Sequence, residues 1–258
     1  MSIFVVYVTA AGLVFGADRN ITSWKRLWDG KEEWVVSGQS QRPKVLRWPD
    51  RELLIGYVGE ARVRGDLTDK WLYSFIGRNL DGRPIGDIAL RLRDELEAAF
   101  PDRPFPGHLV IHLGGFQKAD QLWLPEVHFV HNTTGLSDDG FYQVGDHFTS
   151  SEELSRDIYL GKVPRDEWRA ALKKTPFSFR HGTDLAAFNT IDSKLHEAMD
   201  LLIAGHPRKV HPLPENLEEW SKHMVFRIQA YAAYFVAFYP PFQQLVGGRA
   251  DYLTAEWR

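Results

Sequence analysis

The chain begins MSIFVVYVTAAGLVFGAD, and this opening constrains the fold more than any other stretch of its 258 residues. Residues 3–8 and 13–15 are β-branched, aromatic or aliphatic, and the small or polar residues Thr9-Ala10-Ala11-Gly12 stand between them. That pattern predicts a hairpin. Its second strand runs on to an acid, Asp18. An export signal is the competing reading, because residues 3–17 are uncharged and Phe15-Gly16-Ala17 resembles a small-residue cleavage site. No Lys or Arg precedes the apolar run, however, as the n-region of a signal requires. No other segment reaches the roughly 18 unbroken apolar residues of a membrane span. The expectation is a soluble, cytoplasmic protein.

Hydrophobic residues make up 44% of the sequence, enough for a substantial core. With 31 basic against 34 acidic residues the net charge is only -3, which argues against an electrostatic grip on nucleic acid or on an anionic membrane. Nine Trp residues are read as core rather than as a base-stacking platform. The absence of cysteine excludes disulfides, a thiol nucleophile and a thiolate zinc site, and fits a reducing compartment.

Further along, the polar, Trp-dotted stretch 23–41 reads as an inserted loop or extra hairpin. Residues 44–48 and 53–58 form a second strand pair around Pro49-Asp50-Arg51, so four strands are expected first. Two helices follow. One covers 66–79, with Leu67, Trp71, Phe75 and Ile76 as its apolar residues; the other covers 84–100, opened by Pro84, with Ile85, Ile88, Leu92 and Leu96 at helical spacing. Strands at 108–116, 122–131 and 141–148 come next, then two short helical pieces within a second insertion at about 150–180, one of them at 166–173. Long helices at 184–204 and 216–238 and a closing strand at 245–255 complete the order. This succession suggests an α+β fold, a single domain over 1–258 with two sheets face to face and helices outside.

Chemistry concentrates at the amino terminus. Removal of Met1, which the small side chain of Ser2 favours, would leave an α-amine on the same residue as a hydroxyl. With a reference pKa of about 8, that amine can take the hydroxyl proton at neutral pH. Such a site needs a carboxylate to orient the amine and a cation to hold charge down. Asp18 closes the second hairpin strand and Lys44 begins a neighbouring one. Gly59, at the end of the strand 53–58, lets a carbonyl approach a backbone N–H closely. Taken singly, each has a commoner explanation: a solvated acid at a strand end, or a glycine that only makes a turn.

The stretch Gly12-Leu13-Val14-Phe15-Gly16-Ala17-Asp18-Arg19-Asn20-Ile21-Thr22 resembles the early segment of proteasome-type β-subunits, members of the N-terminal nucleophile hydrolases. In that family the nucleophile lies sixteen residues before an aspartate, and sixteen residues before Asp18 is Ser2. Pro43-Lys44-Val45-Leu46-Arg47-Trp48 is similar to the segment of the family's active-site lysine. Residues 53–61 resemble its oxyanion-hole strand and glycine, and Val246-Gly247-Gly248-Arg249-Ala250-Asp251-Tyr252 its closing Gly-Gly strand. The resemblance implies a four-layer αββα sandwich and catalytic roles for Ser2, Asp18, Lys44 and Gly59. It also implies substrate contacts from Thr22 and Tyr57, with Tyr57 making a shallow pocket for small side chains. The partners it implies are a peptide or amide substrate and further copies of the chain; whether an unfolding partner exists is left open.

Departures from the family stand beside this. Serine replaces the usual threonine, Gly145-Asp146-His147 falls where a serine is expected beside the site, and Val246 replaces another. An inactive scaffold subunit of the same fold is therefore the alternative function, and an exported protein beginning at Asp18 a third. No cofactor is expected. His108, His112, Glu126, His128, His131 and His147 are read as sheet residues rather than metal ligands. Asn20-Ile21-Thr22 and Asn132-Thr133-Thr134 match the glycosylation pattern, which without an export signal carries no meaning. The aromatic 216–238 helix, apolar nearly all round beyond Ala233, is expected to bury its second face in an oligomer.

Overall fold

The computed structural model describes residues 2–28, 32–49, 52–79, 82–101, 105, 107–119, 121–136, 142–152, 163–182, 185–205, 214–238 and 249–257. The opening folds as a hairpin of β1 (Ile3–Val8) and β2 (Gly12–Asp18), and all thirteen of these strand residues are buried. Thr9 builds the turn: its hydroxyl donates to the Gly12 carbonyl and accepts from the Ala11 and Gly12 N–H groups.

The stretch expected as a loop or extra hairpin is a hairpin, β3 (Asn20–Trp28) with β4 (Glu32–Gln41), and it starts three residues before residue 23. Eight strands therefore precede the helices, not four, since β5 (Val45–Arg47) and β6 (Leu54–Gly59) follow as an antiparallel pair and two short strands come after them. A two-residue pairing of β7 (Arg62–Val63) with β8 (Asp66–Leu67) leads into α1 (Thr68–Arg78) and then α2 (Ile85–Ala98). Next come β9 (Leu109–Ala119), β10 (Leu122–Leu136) and β11 (Tyr142–Glu152). A 3-10 turn at Arg165–Glu167 runs into α3 (Trp168–Lys174). Beyond it lies a strand that the sequence reading did not place, β12 (Phe177–Gly182), and the chain continues through α4 (Leu185–Gly205), α5 (Leu217–Phe238) and β13 (Ala250–Glu256). The closing strand begins five residues later than expected, and residues 239–248, with Val246, Gly247 and Gly248, lie outside the described residues.

Two antiparallel sheets carry the architecture. The first has the order β12-β1-β2-β13 and the second β11-β10-β9-β6-β5. Strand side chains alternate between faces, and in β1 both faces are apolar for a reason visible in the packing. Phe4, Val6 and Val8 join Leu13, Phe15, Leu54, Val58, Val110 and Val127 in a cluster drawn from both sheets. Ile3, Val5 and Tyr7 join Ile191 of α4 and Trp220, Met224, Ile228 and Tyr231 of α5. A third cluster sets Ile55, Tyr57, Leu109, Ile111 and Leu113 of the second sheet against the apolar stripes of α1 and α2. The protein is thus an α+β fold whose strands at the amino terminus are covered on both faces.

Glycines fix how closely the sheets meet. The Phe4 ring lies where a side chain on Gly56 would be, the Phe15 ring where one on Gly114 would be, and the two rings meet edge to face at 5.5 Å. No described helix is long and apolar enough to cross a membrane.

Candidate active site

The hairpin register brings the acid to the start of the chain. Phe4 stands opposite Ala17, so Asp18 reaches the level of Ile3, and Ala250 of β13 flanks it on the other side. The Ile3 N–H donates to Asp18 Oδ1 at 2.8 Å and the Asn20 N–H to Oδ2 at 3.2 Å. Lys44, immediately before β5, donates from Nζ to the same Asp18 Oδ1 at 2.8 Å and to Ser2 Oγ at 2.9 Å. All three side chains are buried: Ser2 is 8% exposed, Asp18 1% and Lys44 1%. Residues separated by 16 and 42 positions thus meet around one ammonium.

Burial pushes the Lys44 ammonium below the ordinary lysine value, and the Asp18 carboxylate pulls it back up. A cation so placed steadies negative charge on the Ser2 oxygen.

Gly59 takes φ +109°, a conformation that L side chains rarely adopt, and a methyl group there would overlap the His108 carbonyl. Backbone N–H groups alternate sides along a strand. The Tyr57 N–H donates to the Lys44 carbonyl at 3.0 Å and the Glu60 N–H to the His108 carbonyl at 2.8 Å. The N–H of Gly59 therefore projects to the side of β6 on which Lys44 lies.

Tyr57 sits across from Lys44; its ring belongs to the buried cluster with Leu46, Trp48, Trp71 and Phe75, and its hydroxyl donates toward the Pro43 carbonyl at 3.5 Å. Burial, and the nearby Asp69 carboxylate after it, raise that phenol above its usual value. The Thr22 side chain lies outside the described residues. Gly145-Asp146-His147 is on β11, an exposed edge strand separated from β5 by three others, roughly 19 Å of sheet. The expected place for it beside the active site is not where the sheet order puts it.

Two features escaped the sequence reading. Arg42, two residues before Lys44, donates from Nε and Nη2 to the buried Asp69 Oδ2 at 3.0 and 2.6 Å, and this ties α1 to the site. His181 of β12 meets His112, which only the register of an unplaced strand could have revealed. Among the other histidines, His131 contacts the hydroxyls of Thr133 and Thr149, and His147 is exposed beside Glu97. Among the described residues no three His, Cys, Asp or Glu side chains converge as a metal site would require.

No protein-family profile and no curated protein sequence matches the chain. Among solved structures, it is similar to the Anbu (Gly-1) mutant from Hyphomicrobium sp. strain MC1 at 14% identity, over 99% of this chain and 82% of that one, with a TM-score of 0.46. A likeness that remote carries no argument about function.

Proposed function

We propose that this chain is a proteasome-like N-terminal nucleophile hydrolase, a single domain built as a four-layer αββα sandwich, that cleaves peptide or amide bonds with Ser2 after loss of Met1. The observation that carries this reading is the convergence of Ser2 Oγ, Lys44 Nζ and Asp18 Oδ1 within hydrogen-bonding distance in a buried setting. A surface serine beside a lysine would be unremarkable. A lysine that is 1% exposed and shared between a hydroxyl and a carboxylate needs a reason, because burying a charge is costly.

In the mechanism, the freed α-amine of Ser2 takes the hydroxyl proton as Oγ bonds to the carbonyl carbon. Lys44 steadies the oxygen while it gives up that proton, and Asp18 orients both the ammonium and the backbone at Ile3. The Gly59 N–H donates to the developing oxyanion. As the C–N bond breaks, the proton passes from the α-ammonium to the leaving nitrogen, and an acyl ester remains on Ser2. Water, deprotonated by the same amine, hydrolyses the ester. The reading extends to self-association, with the outer face of α5 as the contact.

Intact-mass measurement on protein from its own host, combined with peptide hydrolysis, tests this. The expected result is loss of Met1, turnover by the native chain, and a drop of at least about a thousandfold in Ser2→Ala, the scale on which a nucleophile matters. Full retention of Met1 with no turnover would leave the alternative, a scaffold without catalysis.

A further inference from the structure

Hydrocarbon fills most of the space between the two sheets, yet besides the Lys44 cluster a second buried contact across it is polar. His112 of β9 and His181 of β12 bring Nε2 and Nδ1 to 2.6 Å. His112 is fully buried, with the Phe4 ring 4.5 Å and the Phe129 ring 4.1 Å from its centroid. Phe129 also stands 5.0 Å from the His181 ring. On the far side of His112, Nδ1 is buried and has no hydrogen-bond partner.

Two imidazoles at that separation share a single hydrogen, and the contact is sound only while both rings are neutral. An added proton on His112 Nδ1 would be a full buried charge with no protein acceptor. Attraction to the faces of Phe4 and Phe129 is the smaller quantity against the desolvation of a whole charge. Protonating both facing nitrogens would set N–H against N–H. Among the described residues His131 of β10 and His108 just before β9 also bear on the pair, and both are imidazoles, so acid adds like charge there.

We propose that the His112–His181 contact is an acid-sensitive latch holding β12, and with it the β1 strand that starts beside Ser2, against the second sheet. The link to Ser2 lies in the register: Phe4 is opposite His181 and Ile3 opposite Gly182. Proton uptake from solvent breaks the Nε2–Nδ1 bond, and the His181 imidazolium moves to water as β12 lifts from the second sheet and its pairing with β1 loosens. The latch stands on the sheet contact alone and does not require that the protein be a hydrolase.

The sign follows from burial. It pushes His112 well below the ordinary imidazole range and His181 down to about 3. The opened state, with an ordinary value of about 6.5, therefore binds protons that the closed state does not. Closure is intact above pH 6.5 and weakens as pH falls below it, by about tenfold per pH unit, because His181, the ring that β12 carries to water, takes up one proton on opening.

Hydrogen exchange read by mass spectrometry at pH 7.5 and 5.5, corrected for intrinsic rates, tests the latch on the intact chain. The amides of β12 are expected to lose at least about tenfold more protection than those of α2. In His181→Gln, whose amide can still bond to His112 but does not titrate, that difference is expected to shrink to threefold or less. Equal loss in β12 and α2, or an undiminished difference in the variant, would overturn the proposal. The native protein's comparison decides by itself should the variant fail to fold.

Discussion

At the scale of single residues, Lys44 is the most exacting position. It is 1% exposed and its charge is opposed by one carboxylate, which the Ile3 and Asn20 N–H groups also hold. Because burial lowers its folded pKa, the unfolded chain holds this proton more firmly than the folded one. Stability must then rise with pH from the folded value up to about 10.4, at about 1.4 kcal/mol per unit within that window. The phenols of Tyr7, Tyr57 and Tyr231 are shifted upward, so their opposite effect begins only near pH 10, and the α-amine that titrates within the window is common to the native protein and the variant. Urea titrations between pH 7 and 10 should show the rise in the native protein and lose it in Lys44→Met. That variant should also be destabilised at pH 7 by about 3 kcal/mol, since it leaves Asp18 buried without its cation. An unchanged slope would mean that the Lys44 ammonium is better solvated than its surroundings indicate.

At the scale of elements, the strands meet across the sheets by ring against backbone. Gly56 on β6 exists to receive Phe4 of β1, and a methyl group there would overlap three atoms of the ring. Gly56→Ala should cost about 1–3 kcal/mol by overpacking. Phe4→Leu alone should cost stability through lost packing, while the double variant should recover part of the sum, giving a favourable coupling in denaturant titrations. Strict additivity would show that the ring moves aside freely. The same elements show what a sequence can and cannot disclose. The β1–β2 hairpin, α1, α2 and the long α4 and α5 follow from apolar spacing and turn residues, and the Asp18–Ser2 meeting follows from the hairpin itself. Phe177-Ser178-Phe179-Arg180-His181 alternates as a strand should, with Phe177 and Phe179 packed against the cluster between the sheets, but it directly follows a helical signal that masks the alternation. Lys44 was legible as a candidate through the family resemblance. The partners of Arg42, His112 and Asp192 were not, because each is set by the register between segments far apart in the chain.

At the scale of the molecule, the question is what fastens the α4 and α5 helices to the first sheet, given that their apolar contacts are shared with a strand buried on both sides. Asp192 of α4 is 3% exposed and pairs with Arg180 of β12 and Arg227 of α5, and the Tyr231 hydroxyl donates to it. Arg227 in turn donates to the Tyr7 hydroxyl of β1 at 2.7 Å. One carboxylate therefore joins two helices and two strands, and it is outnumbered by guanidinium groups. Breaking such a buried pair from one side leaves charge uncompensated, a loss of about 3–5 kcal/mol, whereas an exposed pair such as Lys194–Glu197 on the same helix contributes almost nothing measurable. Asp192→Asn keeps the shape and removes the charge, so the unfolding free energy from denaturant titration should fall by an amount in that range while Lys194→Ala leaves it unmoved. Exchange protection in α4 and β12 should drop together in Asp192→Asn, because one group holds both. A small loss, or loss in α4 with β12 unaffected, would assign the fastening to the Trp220, Met224 and Ile228 packing instead and make the ionic cluster incidental to the assembly of helices on sheet.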